Sequence, residues 1–179
     1  MENEQIWAPW RLGYILGDKD APRANHTAPL PPGAEPNCFL CQGASEGDDR
    51  QRSVIQRGPH CLTVLNRYPY NNGHLLVAPR LHVGRLDQLG GDAQLELMQT
   101  MTQMILLLEK LLQPQGFNLG LNLGRAAGAG LPDHLHWHIV PRWTGDTNFM
   151  PVVAGIRVIP QSLDALWEAI TQELGPASE

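Results

Sequence analysis

Residues 134–140 read His-Leu-His-Trp-His-Ile-Val, so three of the chain's seven histidines fall within five positions. On a β-strand, alternate side chains share a face. His134, His136 and His138 would then lie on one side, and Leu135, Trp137 and Ile139 on the other. The result is a row of imidazoles spaced roughly 7 Å apart and backed by apolar side chains. Three chemistries use such a row. Two or more imidazoles can hold a metal ion. One imidazole can attack phosphorus while its neighbours donate hydrogen bonds to phosphate oxygens and the leaving group. The row can also hold an anion without turnover. Metal-dependent β/α-barrel hydrolases carry a His-x-His pair, but this chain has 179 residues and such a barrel takes about 250. Cupin-type sites need a mostly antiparallel double sheet, which the helical pattern at 92–112 opposes.

The second chemical feature is Cys38-x-x-Cys41. Such a pair can be redox-active or can form half of a zinc site. Redox use wants the pair to open a helix after a strand. Here it follows a Pro/Ala/Gly-rich stretch and precedes Gln42-Gly43-Ala44-Ser45, which is turn chemistry, so zinc is the stronger reading and redox or no role stay open. Cys61 begins an apolar run and reads as a core residue. Three cysteines make a poor disulfide framework. Met1-Glu2-Asn3-Glu4-Gln5 lacks the basic and apolar regions of a signal peptide. A cytoplasmic location is expected.

The elements that would position these groups follow from pattern. Hydrophobic residues make up 42% and charged residues 17%, enough for a core and too little charge for disorder. The net charge of −5 argues against a protein that coats nucleic acid. The longest wholly apolar run, Met104–Leu108, is far short of a membrane span. Residues 17–36 are proline-rich and read as a linker. The expected organisation is an N-terminal arm with its linker over 1–37 and one domain over 38–179. Ile6 to Leu16 carries large side chains, which an arm keeps only where it docks. Residues 42–52 read as a loop. His60–Asn66 and Gly73–Ala78 read as strands of a hairpin. Residues 92–112 read as a helix capped by Asp92. Its apolar face is Leu95, Met98, Met101, Ile105, Leu108 and Leu112, widened by Leu97, Met104 and Leu111. A last helix spans about 162–174. In the strand near 117–123, Phe117, Leu119, Leu121 and Leu123 share a core face. Asn118, Gly120 and Asn122 share a face stripped of bulk, as expected beside a ligand. The Gly/Ala loop that follows, through Gly128 and Gly130, can turn backbone N–H groups toward phosphate.

The His-x-His-x-His signature followed by two apolar residues resembles the histidine triad superfamily. Asn66-Arg67-Tyr68-Pro69-Tyr70-Asn71-Asn72-Gly73-His74 and Gly120-Leu121-Asn122-Leu123-Gly124 match its wider pattern. Trp7-Ala8-Pro9-Trp10-Arg11, Phe117-Asn118-Leu119-Gly120 and Pro141 to Phe149 are similar to its bacterial diadenosine tetraphosphate phosphorylase branch. The resemblance implies an α+β fold, a five-stranded antiparallel sheet with flanking helices, in a homodimer. It implies a nucleotidyl transferase or hydrolase of adenosine-containing phosphoanhydrides, working through a nucleotidyl-histidine. His136 would be the nucleophile. His138 and Asn122 would contact phosphate with amides near Gly128 and Gly130, and His74 would flank that pocket. Asn66 would reach the ribose, and Trp143 and Asn148 would lie near the nucleotide.

The resemblance also implies a zinc site of Cys38, Cys41, His82 and His134, a donor set suited to a closed structural site, with no organic cofactor. Four residues before His134, where many relatives carry Gln or Ser, stands Gly130, so only backbone can act there. The implied ligands are an adenine nucleotide or dinucleoside polyphosphate, with inorganic phosphate or water as acceptor, and neither nucleic acid nor a membrane. Two alternatives stand beside this. One is a zinc-stabilised nucleotide sensor with little turnover. The other is a hydrolase of nucleoside phosphoramidates or dinucleoside polyphosphates.

Overall fold

Short apolar runs of the central chain become strands because turn-forming segments interrupt them before a helix can propagate. In the computed structural model, which describes residues 29–146 and 159–175, these strands are β1 (Val54–Arg57), β2 (Cys61–Leu65), β3 (Leu75–Pro79), β4 (Gly116–Leu121) and β5 (Trp137–Arg142). They form one sheet in the order β1-β2-β3-β5-β4, with every neighbouring pair antiparallel. The helices are α1 (Phe39–Ala44), α2 (Asp49–Arg52), α3 (Gly91–Leu112) and α4 (Leu163–Leu174). The fold is thus α+β, a five-stranded antiparallel sheet with flanking helices. No helix among the described residues is long and apolar enough to cross a membrane.

Both faces of β2 and β3 are covered, which is why every residue of each is buried. On one face, Leu65, Leu75, Val77 and Ile139 pack with Leu97, Met101, Met104 and Leu108 of α3 and with Leu166 and Ile170 of α4. On the other, Leu62, Val64, Leu76 and Ala78 pack with Leu40, Cys41 and Ala44 of α1.

Several expectations need correction. Residues 42–52 are not a plain loop: they hold the end of α1 and all of α2. Gly43 and Ala44 serve close packing instead of turning, since a Cβ on Gly43 would lie 3.1 Å from Leu62 Cδ1. The cysteine pair therefore does open a short helix, though not one that follows a strand. Strand β1 went unread because four residues carry too little alternation. Asp92 does not cap α3. The N-cap is Gly90, and Asp92 sits in the first turn, where its charge meets the helix dipole favourably. The buried stripe of α3 runs through Leu97, Met101, Met104 and Leu108, while Leu95, Met98 and Leu106 face outward. Ser162 does cap α4, its hydroxyl accepting from Ala165 N–H at 3.2 Å.

The two faces of β4 are as the alternation predicts, but its apolar face is only partly covered. Phe117 and Leu121 pack on the core, whereas Leu119 is 52% exposed because β4 is the sheet edge. On the opposite face Gly120 pairs with His138. The arm's large side chains at 6–16 and Asn148 lie outside the described residues.

Candidate active site and metal centre

Alternation places the triad as its spacing predicts only in part. Leu135 and Ile139 are buried in the α3 core and Trp137 packs against it, so the histidines face the α1 side. Strand pairing begins at Trp137, however, so only His138 lies in the ladder. His134 lies in a bend ahead of it and His136 just before its first residue, and Leu135 N–H donates to Val83 carbonyl at 2.7 Å. This bend takes His134 out of the row and turns it toward the cysteines.

There Cys38, Cys41, His82 and His134 offer one ligand atom each, all within 4.8 Å of one another. His134 Nδ1 lies 3.2 Å from Cys38 Sγ, 3.6 Å from Cys41 Sγ and 3.2 Å from His82 Nδ1. His82 Nδ1 is 3.3 Å from Cys41 Sγ. A tetrahedral zinc with N and S ligands at about 2.0 and 2.3 Å sets nitrogens about 3.3 Å apart and nitrogen from sulfur about 3.5 Å apart. The donor set fits such an ion. Protonation agrees. His134 Nε2 is 2.8 Å from Pro79 carbonyl, which can only accept, so Nε2 carries the proton and Nδ1 presents its lone pair to the cluster. Burial holds His134 down at about 4. Burial also pushes the Cys38 thiol up to about 12, a cost to the thiolate that a cation at the centre offsets. Cys61 stands apart, buried with its Sγ 3.2 Å from Thr100 Oγ1, as a core residue.

Outside the metal cluster, His136 and His138 line a cavity of about 530 Å³ walled by Phe39, Asn66, Leu76, Leu131, Gly128 and Gly130, whereas the buried His74, expected to flank this pocket, is not part of its wall. His136 is 7% exposed. Its Nδ1 lies 2.8 Å from the His134 carbonyl and must donate, which leaves Nε2 as a lone pair. A second chain of donors fixes His138. Tyr70 N–H donates to His74 Nδ1 at 3.0 Å. The proton of neutral His74 is then on Nε2, which is 2.9 Å from His138 Nδ1 and donates to it. The His138 proton is left on Nε2, an atom that is buried and without a hydrogen-bond partner among the described residues. A buried donor with no acceptor is costly, so this N–H awaits a ligand oxygen. The rings of His136 and His138 have centroids 5.1 Å apart. The cavity thus sets an unprotonated nitrogen beside an unanswered N–H donor.

Not every expected residue reaches the cavity. Asn66 lines it, but its carboxamide is engaged, Oδ1 accepting from Tyr68 N–H at 2.9 Å and Nδ2 resting 3.3 and 3.4 Å from the two His74 ring nitrogens. Asn122 is not part of the wall, but its Nδ2 lies next to Gly128, 3.9 Å from where a Cβ there would sit. Trp143 does not line the cavity. The chain turns after β5, and the indole N–H donates to the Gln113 carbonyl beyond the end of α3 at 3.2 Å. Three contributors went unread: Phe39 and Leu76 as apolar wall, and Tyr70, whose ring stacks on His138 with centroids 5.7 Å apart.

Burial holds His138 down at about 4, and the charge of His136 acts the same way. An exposed histidine in the unfolded chain titrates near 6.5. Between those values the unfolded chain binds the extra proton, so this stability is whole above about pH 6.5 and lost as pH falls toward 4. The urea midpoint of the wild type should fall across that window more steeply than that of His138→Asn, by about one proton per chain. Parallel profiles would refute the buried neutral imidazole.

The fold, the imidazole row and the cysteine pair together define a histidine triad protein, and the comparisons agree. The HIT domain profile matches residues 48–145, and the chain belongs to that family. Over 160 residues, 89% of this chain and 78% of the relative, it is 39% identical to the AP-4-A phosphorylase of Mycobacterium tuberculosis. It is 25% identical over 113 residues, 63% of this chain and 81% of the relative, to an adenosine 5′-monophosphoramidase of Schizosaccharomyces pombe. Among solved structures, a histidine triad nucleotide-binding protein of Sulfolobus tokodaii superposes with a TM-score of 0.56 at 25% identity, covering 68% of this chain and 83% of that one.

Proposed function

We propose that the protein is a nucleotidyl transferase that cleaves diadenosine tetraphosphate by phosphorolysis. The observation that carries this reading is the lone pair of His136 Nε2 beside the unpartnered Nε2–H of His138. His136 Nε2 attacks the α-phosphorus. An N–P bond forms, the P–O bond to the remaining phosphates breaks, and ATP leaves. The Nδ1–H stays on the His134 carbonyl, which stabilises the charge that the ring acquires. His138 donates to a non-bridging oxygen as negative charge grows there, and the open backbone at Gly128 and Gly130 faces the same phosphate. His74 holds His138 in the donating tautomer and so acts as a positioning residue. Phosphate then attacks the nucleotidyl-imidazole, releasing ADP and restoring His136. The 39% identical AP-4-A phosphorylase supports the choice of substrate.

We read Cys38, Cys41, His82 and His134 as ligands of a structural zinc. The homodimer implied by the family resemblance is supported by the uncovered β4 edge with Leu119, and by Leu95, Met98 and Leu106 on the outer face of α3. Product analysis tests the reaction. With diadenosine tetraphosphate, ADP together with ATP should appear only when inorganic phosphate is present. AMP formed regardless of phosphate would identify water as the acceptor and a hydrolase instead. Saturable binding with no products would leave the sensor reading.

A further inference from the structure

The histidine cavity does not end at its own wall. A second cavity, of about 650 Å³, opens between α2, the β2–β3 loop and the start of α4, lined by Asp48, Gln51, Ser53 and Gln161 among others. Arg67, Pro69 and Ile159 belong to both walls, so the two spaces meet over the β2–β3 loop.

The charges there are ordered. Arg50 is committed to Glu168 at 2.6 Å and to Asp164 at 3.5 Å. Asp48 accepts the Gln51 N–H at the start of α2. Arg67 is exposed and makes no hydrogen bond or ion pair among the described residues. The uncommitted cation therefore stands at the junction, and beyond it come carboxylate, amide and hydroxyl groups. A guanidinium is suited to a phosphate, which it can grip with two N–H groups. Carboxylates repel phosphate, and carboxylates and amide oxygens accept from ribose hydroxyls and a purine amino group.

We infer that the second cavity receives the distal nucleoside of a dinucleoside polyphosphate, and that Arg67 grips the phosphate chain as it passes from one cavity to the other. The inference rests on the reading of the first cavity as the site of nucleotidyl transfer. Each cavity alone has the volume of a small-molecule site, and a ligand with two nucleosides joined by a flexible phosphate chain needs two. Contacts to the distal half add binding for dinucleotides and none for substrates with a small leaving group, so the second cavity selects the leaving group.

The test is a selectivity ratio, kcat/KM for diadenosine tetraphosphate divided by kcat/KM for adenosine 5′-phosphoramidate. Arg67→Gln removes the cation, and Gln51→Trp fills the second cavity from α2. Each should lower the ratio by about tenfold or more, the scale of one charge-assisted hydrogen bond. A ratio within about twofold of wild type in either variant overturns the inference. Failure of the wild type to cleave the tetraphosphate would overturn it differently, by removing the reading of the first cavity on which it rests.

Discussion

His136→Ala should lower kcat/KM on diadenosine tetraphosphate by about 10⁴-fold or more, the scale expected when a covalent route is removed and only binding and electrostatic stabilisation remain. The expectation follows from which atoms are free. Of His74, His136 and His138, His136 alone has its acceptor nitrogen unclaimed among the described residues. Its Nδ1–H is held by a carbonyl, whereas the acceptor nitrogens of His74 and His138 already receive hydrogen bonds from Tyr70 and His74. A rapid acid quench with substrate labelled in the adenosine should trap labelled protein from the wild type and none from the variant. His138→Asn should behave differently. It removes one phosphate donor and keeps the nucleophile, so turnover should fall by about 10²–10³-fold while labelled protein still forms. An alanine variant at 136 that keeps full turnover would end the nucleophile assignment.

That the sequence exposes some of this machinery and hides the rest has a physical cause. A period of two tells which side of a sheet a side chain meets, so Leu135, Trp137 and Ile139 could be assigned to the core and the histidines to the opposite face before any coordinates. The same period assigns Gly120 to the His138 side. What periodicity lacks is the place where a strand stops. Because β5 starts at Trp137, His134 leaves the row and joins the cysteines. Family resemblance pointed to that pairing; alternation alone would have kept three imidazoles in line. The tautomers were invisible for a further reason. They are set by the Tyr70 N–H and by the carbonyls of His134 and Pro79, groups that every residue carries and no side-chain pattern marks. Leu119 shows a different limit. Alternation puts it on the side of Phe117 and Leu121 and so predicts burial, but nothing local in the sequence says that β4 ends the sheet and that α3 does not reach over it.

Removing the metal should lower both stability and turnover, and by related amounts. The four proposed ligands come from the start of α1, from the chain after β3 and from the approach to β5, so one ion would join three segments that are far apart in sequence. Zinc binding supplies about 10–16 kcal/mol in small peptides that fold only with metal. Here two apolar clusters flank the sheet, so a smaller share is at stake. About 4 kcal/mol corresponds to a fall of roughly 8–16 °C in Tm for a chain of this size. Cys41→Ser, or treatment of the wild type with a strong chelator, should produce that fall, and elemental analysis should find one zinc per chain. The effect on turnover runs through the backbone. On the zinc reading the His134 side chain is a ligand, and its carbonyl is the acceptor that holds the proton of His136 on Nδ1. Loosening His134 lets His136 turn or take the other tautomer, which removes the lone pair from the cavity, so kcat should fall with little change in KM. If chelation abolished turnover and left Tm unchanged, the metal would belong to the chemistry and the structural assignment would fall. If Tm dropped while kcat held, the link from His134 carbonyl to His136 would be the part to give up.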